Sequence, residues 1–581
     1  MTDVYLRRPL KVRRAASAAL AALLPAALLA TTAATVGTSA AASAASSGGT
    51  VVVALPALAD INWYQPLRPA AYNTVYDSWV ATLLYQPLLA VNGKGAIDYT
   101  YSDAESISAN ASGTVYTVNM NPIYHWSDGT PVTAADIAFC WQLIEYASSA
   151  KAPTPWPYAG AGSGDIPTGV KSLKVTGTYS FQVTLEQPVN AYWFEYDGLS
   201  QLFPLPKQAW DKYPTNIAKE LNYITTNGDN ASFFNVVDGP FMLKSAVNDS
   251  AWTFVPNPKF NGHKATLGQL ILAYETSDQN ELEQLQQGEV QVGYINQAEL
   301  GDQHLLTKDR LITGYGDGFT RMFLDYGNPT VGKLLAQLPV RQAMEMGINQ
   351  TQIIKDIDEG YAVYGAGPVP YSQPSLLAPG MTKPPYPFNP ALGKATLEKA
   401  GYHLVNGVMT NAQGQQLSFV MQYVSGSPET ESIVQLVQSD WAKEGIKVSL
   451  VPMPFASMVA LHDKTDAAKW EIQAGVSWDW GGDYPTGEGI FETGAPYNFY
   501  QFSDPTLDKL IQASIKPYPT TAQSVAALKA YEVYVSKVLP VLWMPYAATL
   551  DEVATNLKGV NANTLNTFVD GFEPQYWSIS Q

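Results

Sequence analysis

Residues 126–139, WSDGTPVTAADIAF, combine a turn with the start of a helix. The Ser127-Asp128-Gly129 triplet is typical of a turn. Thr133, with Asp136 three residues later, resembles a capping box in which Asp stands where Glu or Gln is usual. Apolar residues then recur at helical spacing, namely Ile137, Cys140, Trp141 and Ile144. This apolar stripe predicts that Cys140 is a small buried hydrophobic residue and not a reactive thiol.

The composition of the whole chain is that of an acidic globular protein. Its 581 residues exceed one ordinary core of about 150 residues and suggest about three domains or lobes. Hydrophobic residues make up 46% and charged residues 15%, which excludes a disordered, coiled-coil or collagen-like chain. The net charge of -17 opposes binding to nucleic acid or anionic lipid. The single cysteine excludes an internal disulfide and a multi-cysteine metal site.

The N-terminal residues 1–44 are predicted to be a signal peptide. An apolar core, Leu20–Ala30, is followed by small residues at 40–44 that fit a cleavage site, and it is preceded by basic residues Arg7, Arg8, Lys11, Arg13 and Arg14. The alternative is a retained membrane anchor, which Pro25 disfavours. Cleavage would remove five basic groups and Asp3, leaving 29 basic and 50 acidic groups and a net charge of -21. No cysteine follows the apolar core, so no lipid-bearing N-terminal cysteine is expected.

The rest of the chain carries none of the common catalytic or metal-binding motifs. No further run approaches the ~18 apolar residues that a membrane helix needs. The motifs of serine hydrolases, P-loops, zinc proteases, dinucleotide folds and calcium loops do not occur. The five histidines are scattered singly, which is untypical of metal sites. We therefore expect no catalytic residue, no metal and no cofactor.

Strand and helix patterns are mixed along the chain. Short β-branched or alternating runs predict strands at Thr50–Leu55, Val115–Met120, Leu417–Val424, Lys447–Val451 and Val541–Pro545. Periodic apolar segments predict helices at Pro339–Ile348, Thr351–Glu359, Asn389–Ala400, Thr430–Glu444, Asp504–Ser514 and Ala522–Val538. Strands alternating with helices favour an α/β architecture.

Seven motifs, with residues 126–139 the first, resemble those of solute-binding protein family 5, the extracytoplasmic receptors of peptide and nickel ABC importers. The other six follow in the family's order: Asp238-Gly239-Pro240-Phe241, Asn257-Pro258-Lys259-Phe260, Gln287-Gly288-Glu289-Val290, Val340-Arg341-Gln342-Ala343-Met344, Glu398-Lys399-Ala400-Gly401-Tyr402 and the segment 502–510. Gln291 departs from the pattern, because the family usually has Asp there. The resemblance extends from the region of Thr50 to the C-terminus.

The resemblance implies a two-lobed clamp, the type II periplasmic-binding-protein-like fold, with an extra N-terminal subdomain. Lobe I would comprise residues 49–85, 215–315 and 545–581, the extra subdomain residues 86–214, and lobe II residues 316–544. Two strands that cross between the lobes would lie near Thr320–Leu324 and Val541–Met544. A ligand between the lobes would drive closure, since it contacts both of them only in the closed form.

For the ligand site, the resemblance points to residues 480–484, Trp-Gly-Gly-Asp-Tyr. Peptide-binding members of the family hold the peptide's α-ammonium group with an aspartate in such a loop, which would be Asp483 here. A carboxylate among aromatic side chains in a water-poor cleft would pair with a cation. The alternative is that Asp483 is a turn residue, and Asp479 is then the next candidate. Trp478, Trp480 and Tyr484 would stack on ligand groups or hold the loop in place.

A second contact is expected from residues 72–76. Tyr72, Asn73 and Val75 occupy the place where the family's peptide receptors approach the ligand backbone with an extended segment. Backbone pairing binds a peptide without discriminating its side chains, which suits broad specificity. Tyr158 is a further candidate for the cleft, although the Pro-rich and Gly-rich composition of its loop, 152–164, favours a flexible surface loop.

The implied function is extracytoplasmic capture of oligopeptides or similar organic solutes, and their delivery to an ABC permease with its ATPase subunits. We expect a monomer with no nucleic-acid partner and no catalytic activity. Two alternatives stay open. An oligosaccharide receptor of the same fold is one, because sugar rings stack on Trp and Tyr. A secreted hydrolase is the other, and it would need a nucleophile with a base in reach. Nickel is less favoured, because the sequence has no paired histidines.

Overall fold

The computed structural model describes residues 48–56, 59–69, 72–561, 563–566, 569 and 571–580. The predicted signal peptide, residues 1–44, lies outside the described residues. Within the described ranges, no helix combines the length and the hydropathy of a membrane span.

The strands are, in chain order, β1 Thr50–Ala54, β2 Ala104–Ala109, β3 Val115–Met120, β4 Val170–Gly177, β5 Ser180–Leu185, β6 Phe241–Val247, β7 Ala251–Pro256, β8 Gln269–Ala273, β9 Val292–Tyr294, β10 Asp309–Gly314, β11 Gly318–Leu324, β12 Ala362–Val363, β13 His403–Val405, β14 Val408–Thr410, β15 Ser418–Val424, β16 Lys447–Met453, β17 Ile472–Asp479, β18 Val541–Met544, β19 Tyr546–Ala547, β20 Thr549–Ala554, β21 Leu557–Lys558, β22 Leu565–Asn566, β23 Gly571–Phe572 and β24 Ser578–Ile579.

The α-helices are α1 Val75–Leu84, α2 Ala134–Ala147, α3 Ala191–Trp193, α4 Lys207–Trp210, α5 Ile217–Thr225, α6 Asp278–Gln287, α7 Gly332–Leu335, α8 Leu338–Met346, α9 Gln350–Gln352, α10 Pro390–Lys399, α11 Pro428–Glu444, α12 Phe455–Val459, α13 Pro505–Ser514 and α14 Thr521–Val538. Two π-helical turns, Phe194–Gly198 and Ile353–Ile357, continue α3 and α9.

The largest sheet is assembled from distant parts of the chain. Its seven strands lie in the order β10-β20-β9-β1-β8-β7-β6. The N-terminal strand β1 pairs in parallel with β8 and β9. Strand β20, close to the C-terminus, pairs antiparallel with β9 and β10. The two ends of the described chain therefore meet in one sheet.

A second sheet, of five strands in the order β16-β15-β17-β11-β18, is built from residues 318–544. Strand β11 pairs antiparallel with both β17 and β18. The chain passes from the first sheet to the second through residues 315–317 and returns through residues 545–548. The lobe bounds given above stay a prediction.

A third sheet, β2-β3-β5-β4, lies between β1 and β6 in the sequence and contacts α2. Helix α2 begins at the capping box predicted from residues 126–139. The Thr133 N–H and hydroxyl both donate to Asp136 Oδ2, at 2.8 and 3.0 Å. Cys140 is 2% exposed on the apolar face of α2, and burial raises the pKa of its thiol to about 12. Its predicted role as a buried hydrophobic residue is confirmed.

The sequence periodicities located most of these elements. The five predicted strands coincide with β1, β3, β15, β16 and β18, and five of the six later predicted helices with α8, α10, α11, α13 and α14. The predicted helix at 351–359 is instead the short helix α9 followed by the π-helical turn Ile353–Ile357. The α/β prediction is confirmed.

Candidate functional site

The loop after β17 carries the predicted ligand residues, and its backbone is fixed by two glycines. Gly481 and Gly482 have φ values of 63° and 96°, in the left-handed region that glycine adopts without strain. This turn directs the Gly482 N–H to Asp317 Oδ2, at 3.1 Å. The Trp480 N–H donates to the Asp317 carbonyl, at 2.7 Å. The double glycine therefore lets the loop fold over the residue that precedes β11.

Asp317 anchors this loop from beneath. It is fully buried and accepts hydrogen bonds from Gln373 Nε2 at 2.8 and 2.9 Å and from Ser372 Oγ at 3.2 Å. Burial raises the pKa of its carboxyl to about 7, although the Gln373 hydrogen bond lowers it. Asp317 is thus a positioning residue, saturated with donors from its own surroundings.

Asp483, the predicted ammonium partner, is in a different situation. Its backbone is held, because its N–H donates to the Trp480 carbonyl at 3.1 Å. Its carboxyl accepts no hydrogen bond from any described residue. The residue is half-buried. Burial raises the pKa of the carboxyl well above its usual range, and the neighbouring Asp317 and Glu488 raise it further. A carboxyl group in this position has its own hydrogen-bonding capacity available for a ligand.

One helical segment of the third-sheet region lies against the same loop. Asp197, in the π-helical turn, accepts the Tyr484 N–H at 2.6 Å. Trp193, one turn earlier in α3, donates its Nε1–H to Glu488 Oε1 at 2.7 Å. The Tyr192 ring packs edge-on against Tyr484, with centroids 4.9 Å apart. Residues 192–197 and 484–488 thus connect two segments that are far apart in the sequence.

Four carboxyl groups converge here, and we call them the acidic quartet: Asp197, Asp317, Asp483 and Glu488. Burial is the largest cause of a raised pKa at each of them. The ion pairs found within the described ranges are Lys207–Asp211, Lys355–Asp356, Lys443–Asp440 and Lys469–Asp466. None of these pairs includes a member of the quartet, so no ion pair within these ranges offsets the effect of burial on its four carboxyl groups.

A cavity of about 440 Å³ adjoins the quartet at Glu488. Its walls come from both sides of the contact just described, among them Val189, Trp193, Tyr497 and Ile515. This volume falls within the ~300–1,000 Å³ of typical small-molecule pockets. The site is therefore a loop rich in carboxyl groups with a partly open cavity beside it.

The predicted aromatic residues divide into two groups. Trp480 and Tyr484 are almost completely buried. The Trp480 Nε1–H donates to the Pro368 carbonyl at 2.9 Å, which holds the loop. Trp478 is half-buried and packs edge-on against Tyr497, with centroids 4.9 Å apart. Of the three, Trp478 has the most accessible ring.

Asp479, the second candidate for the ammonium partner, is exposed. Its Oδ1 accepts the Gly481 N–H at 2.8 Å, which is the geometry of an Asx turn. Asp479 therefore closes the turn that Gly481 and Gly482 form.

Residues 72–76 do not form a continuous extended segment, which corrects the expectation from the sequence. Thr74 is extended, but it caps α1 by accepting the Asp77 N–H, so Val75 is the first residue of a helix. Tyr72 stacks on Trp63, with ring centroids 5.0 Å apart. Asn73 is exposed and interacts with the side chain of Tyr497. Within this segment, the expected backbone pairing would then be limited to Asn73 and Thr74.

Tyr158 lies close to the loop. It is 7% exposed, and its backbone bridges to Pro69. Burial raises the pKa of its hydroxyl, and Asp483 raises it further, whereas Arg68 lowers it.

Asp197, Asp317 and Glu488 were not identified from the sequence, because they belong to no motif. The sequence signal for Asp317 is its position between Gly316 and Gly318, just before a predicted crossing strand.

The described residues contain no group of three or more His, Cys, Asp or Glu side chains arranged to hold a metal ion.

The sequence profile of the bacterial extracellular solute-binding proteins, family 5, matches residues 99–500, which is more than half of the chain. The chain belongs to this family.

Curated family 5 relatives are peptide-binding proteins. A dipeptide-binding protein of Lactococcus lactis subsp. cremoris is 27% identical over 474 residues, which cover 76% of this chain and 79% of that protein. The oligopeptide-binding protein OppA of Lactococcus lactis subsp. lactis is 25% identical over 521 residues, covering 82% and 81% of the two chains.

Solved structures show the same fold. The oligopeptide-binding protein AppA of Bacillus subtilis, in complex with a nonapeptide, superposes with a TM-score of 0.75 at 18% identity, covering 92% of this chain and 99% of AppA. NikZ of Campylobacter jejuni, in complex with Ni(L-His), has a TM-score of 0.73 at 17% identity, with coverages of 91% and 99%. The two-lobed type II fold predicted from the motifs is confirmed.

Proposed function

We propose that the mature chain is the exported substrate-binding protein of an ABC importer and captures oligopeptides in the cleft beside the loop 480–488. It would then deliver them to the permease and its ATPase subunits. Membership of family 5 and the peptide-binding relatives support this role. The predicted signal peptide would place the protein outside the cytoplasm, where it would act as a monomer without catalytic chemistry.

The observation that carries the proposal is the Asp483 carboxyl, which has no hydrogen-bond donor among the described residues and lies in the acidic quartet. Burial makes its ionised form unfavourable in the absence of a counter-charge. An ammonium group brought between the lobes would supply that counter-charge and would be held by a charge-assisted hydrogen bond. The free α-ammonium of a peptide is a group of this kind.

The remaining predicted residues take roles that follow from their contacts. Trp478 and Asn73, near Tyr497, would contact the ligand, and Tyr72 would support Asn73 from its stacked position on Trp63. Trp480 and Tyr484, already buried by protein groups, would hold the loop. Val75 lies inside α1 and would shape the wall behind Asn73.

The test is a cycle of two proteins and two peptides, measured by titration calorimetry. Asp483→Asn removes the charge and keeps the shape of the side chain. Removing one partner of a desolvated charge pair typically costs ~2–5 kcal/mol. A peptide with a free α-ammonium should therefore bind the variant at least tenfold more weakly, whereas the N-acetylated peptide should bind both proteins equally.

The matched control is Asp479→Asn, which alters an exposed carboxyl in the same loop. It should leave both affinities unchanged. Equal binding of the free-amine peptide to the parent and to Asp483→Asn would contradict the proposal. If a neutral oligosaccharide bound instead, and bound equally to both proteins, the sugar-receptor alternative would replace it.

A further inference from the structure

Glu488 has an unused hydrogen-bonding capacity that the proposed α-ammonium contact does not explain. Its Oε1 accepts from Trp193 Nε1. Its Oε2 is shielded from solvent and has no hydrogen-bond partner among the described residues. Burial raises the pKa of this carboxyl to about 7. An isolated carboxylate oxygen in such a place is costly unless a donor arrives.

Glu488 is also among the residues that line the cavity of about 440 Å³. Its apolar wall includes Val189, Trp193 and Ile515, and its acidic wall includes Asp165 and Glu492. Lys516 also lines the cavity but is exposed to solvent. The carboxyl of Glu492 already has one hydrogen bond, because its Oε1 accepts from Gln512 Nε2 at 2.7 Å. Among the carboxyl groups that line the cavity, Glu488 therefore has an oxygen, Oε2, that is shielded from solvent and lacks a donor within the described residues.

An apolar wall that leads to a carboxylate matches a particular kind of side chain. Lysine and arginine place an aliphatic stem against apolar surface and a charged head at its end. A neutral apolar side chain would cover the apolar wall of the cavity but leave Oε2 of Glu488 without a donor. A small cation without a stem would leave Val189 and Ile515 uncovered.

We propose that this cavity binds the lysine or arginine side chain of the captured peptide, with the cationic head on Glu488. The inference rests on the proposed function and narrows its ligand class to basic peptides. Glu488 is a specificity-determining residue, and it also accepts the hydrogen bond from Trp193. These two roles predict different effects of a substitution at Glu488. Loss of the hydrogen bond with Trp193 would weaken every peptide alike, whereas loss of the contact with a ligand cation would weaken only peptides that carry lysine or arginine.

The experiment measures affinities of the full chain by calorimetry for tri-alanine and for a series in which each alanine is replaced by lysine or by norleucine. Norleucine keeps the stem and lacks the ammonium. At one position, the lysine peptide should bind at least tenfold more tightly than the norleucine peptide. Glu488→Gln keeps an acceptor for Trp193 and removes the charge, so it should bring the lysine and norleucine peptides to equal affinity. Asp302→Asn, at an exposed position outside the cavity, is the control and should retain the preference.

Each alternative outcome is informative. If lysine gives no advantage at any position in the parent protein, or if Glu488→Gln keeps the advantage, the inference is wrong and the proposed function survives. If Glu488→Gln weakens all peptides equally, Glu488 is only a contact between lobes. If no peptide binds the parent, the proposed function is wrong. Argininamide alone then tests the cavity: a thermal shift lost in Glu488→Gln supports the inference, and equal shifts overturn it.

Discussion

The acidic quartet and Arg321 are two buried regions of ionisable side chains. Residues 317–321 connect them, because Asp317 belongs to the quartet. Asp317 precedes β11, and Arg321 lies within it. Arg321 is 3% exposed, and its Nε and Nη1 atoms have no hydrogen-bond acceptor among the described residues. Its guanidinium carbon lies 5.1, 4.6 and 5.3 Å from the ring centroids of Phe319, Phe323 and Trp478. Aromatic faces therefore replace the carboxylate that usually accompanies a buried arginine.

The difference lies in how each region responds to its surroundings. Burial lowers the pKa of Arg321 only to about 10, so the guanidinium stays charged at neutral pH. Burial raises the pKa values of Asp317 and Glu488 to about 7, so these carboxyls change their charge near neutrality. A cation enclosed by π-systems is a fixed structural charge, whereas carboxyls with a nearby cavity respond to a proton or a ligand.

The largest effect should come from removing the anchor of the acidic loop. Asp317→Ala leaves Gln373 and the Gly482 N–H without their acceptor, and each orphaned buried donor costs ~1–3 kcal/mol. We expect the free energy of unfolding, measured in urea, to fall by about 3–5 kcal/mol in total. Asp317→Asn should lose less, since one acceptor remains. Asp302→Ala, at an exposed position, is the control and should change the free energy of unfolding little. If Asp317→Ala changed it as little, the anchoring role would be contradicted.

The second effect is a dependence of stability on pH that arises in the acidic region. A carboxyl whose pKa is raised in the folded state contributes stability that is complete below its unfolded pKa of about 4. For Asp317 and Glu488 that contribution is lost as the pH rises towards about 7. The ligand-free chain should therefore be less stable at pH 8 than at pH 5.5, with a slope of up to ~1.4 kcal/mol per pH unit for each proton.

Urea denaturation at several pH values between 5 and 8 measures this slope. Asp317→Asn should make the slope shallower, while Arg321→Met should leave it unchanged. A stability that is independent of pH in the parent chain would show that the buried carboxyls are compensated in the folded state.

A smaller effect concerns the number of protons that the protein releases when a peptide binds. A ligand cation favours the ionised form of Asp483, whose pKa is raised in the free protein. Binding of a free-amine peptide at neutral pH should therefore release up to about one proton. Calorimetry in two buffers with different ionisation enthalpies gives the number released. The N-acetylated peptide should release none, and proton uptake with the free-amine peptide would contradict the assignment.

The smallest effect should come from the aromatic region. Arg321→Met keeps a side chain of similar length and removes a charge that must be desolvated. Lost cation–π attraction and relieved desolvation should nearly cancel, leaving the free energy of unfolding within about 1 kcal/mol of the parent. A loss of more than about 3 kcal/mol in urea denaturation would mean that the guanidinium contributes more than packing against the three rings.

The sequence predicted local features well because their causes are local. The capping box at Thr133 and Asp136 and the apolar stripe of α2 depend on residues within one or two turns of each other. The extended segment expected at Val75 is wrong for a local reason as well. Thr74 accepts the Asp77 N–H and caps α1, so the chain becomes helical at Val75.

The acidic quartet could not be predicted in the same way. Asp197 meets Tyr484 across 287 positions of the sequence, and Asp317 meets Gly482 across 165. Neither residue carries a periodicity or a motif, so only the folded chain brings them together. The Asp483 motif located the loop, but the environment of its carboxyl is set by residues from three distant segments.

The two hydrogen bonds between residues 193–197 and 484–488 also have a mechanical meaning. Trp193–Glu488 and Asp197–Tyr484 are separated by four residues on both sides, in a helical segment on one and in a loop on the other. A straight pull loads both bonds at once and must break them together. A rotation of the helical segment loads one bond before the other, so that they open in succession, each with a smaller barrier. The direction of an applied torque, more than its size, would then set how fast the contact opens.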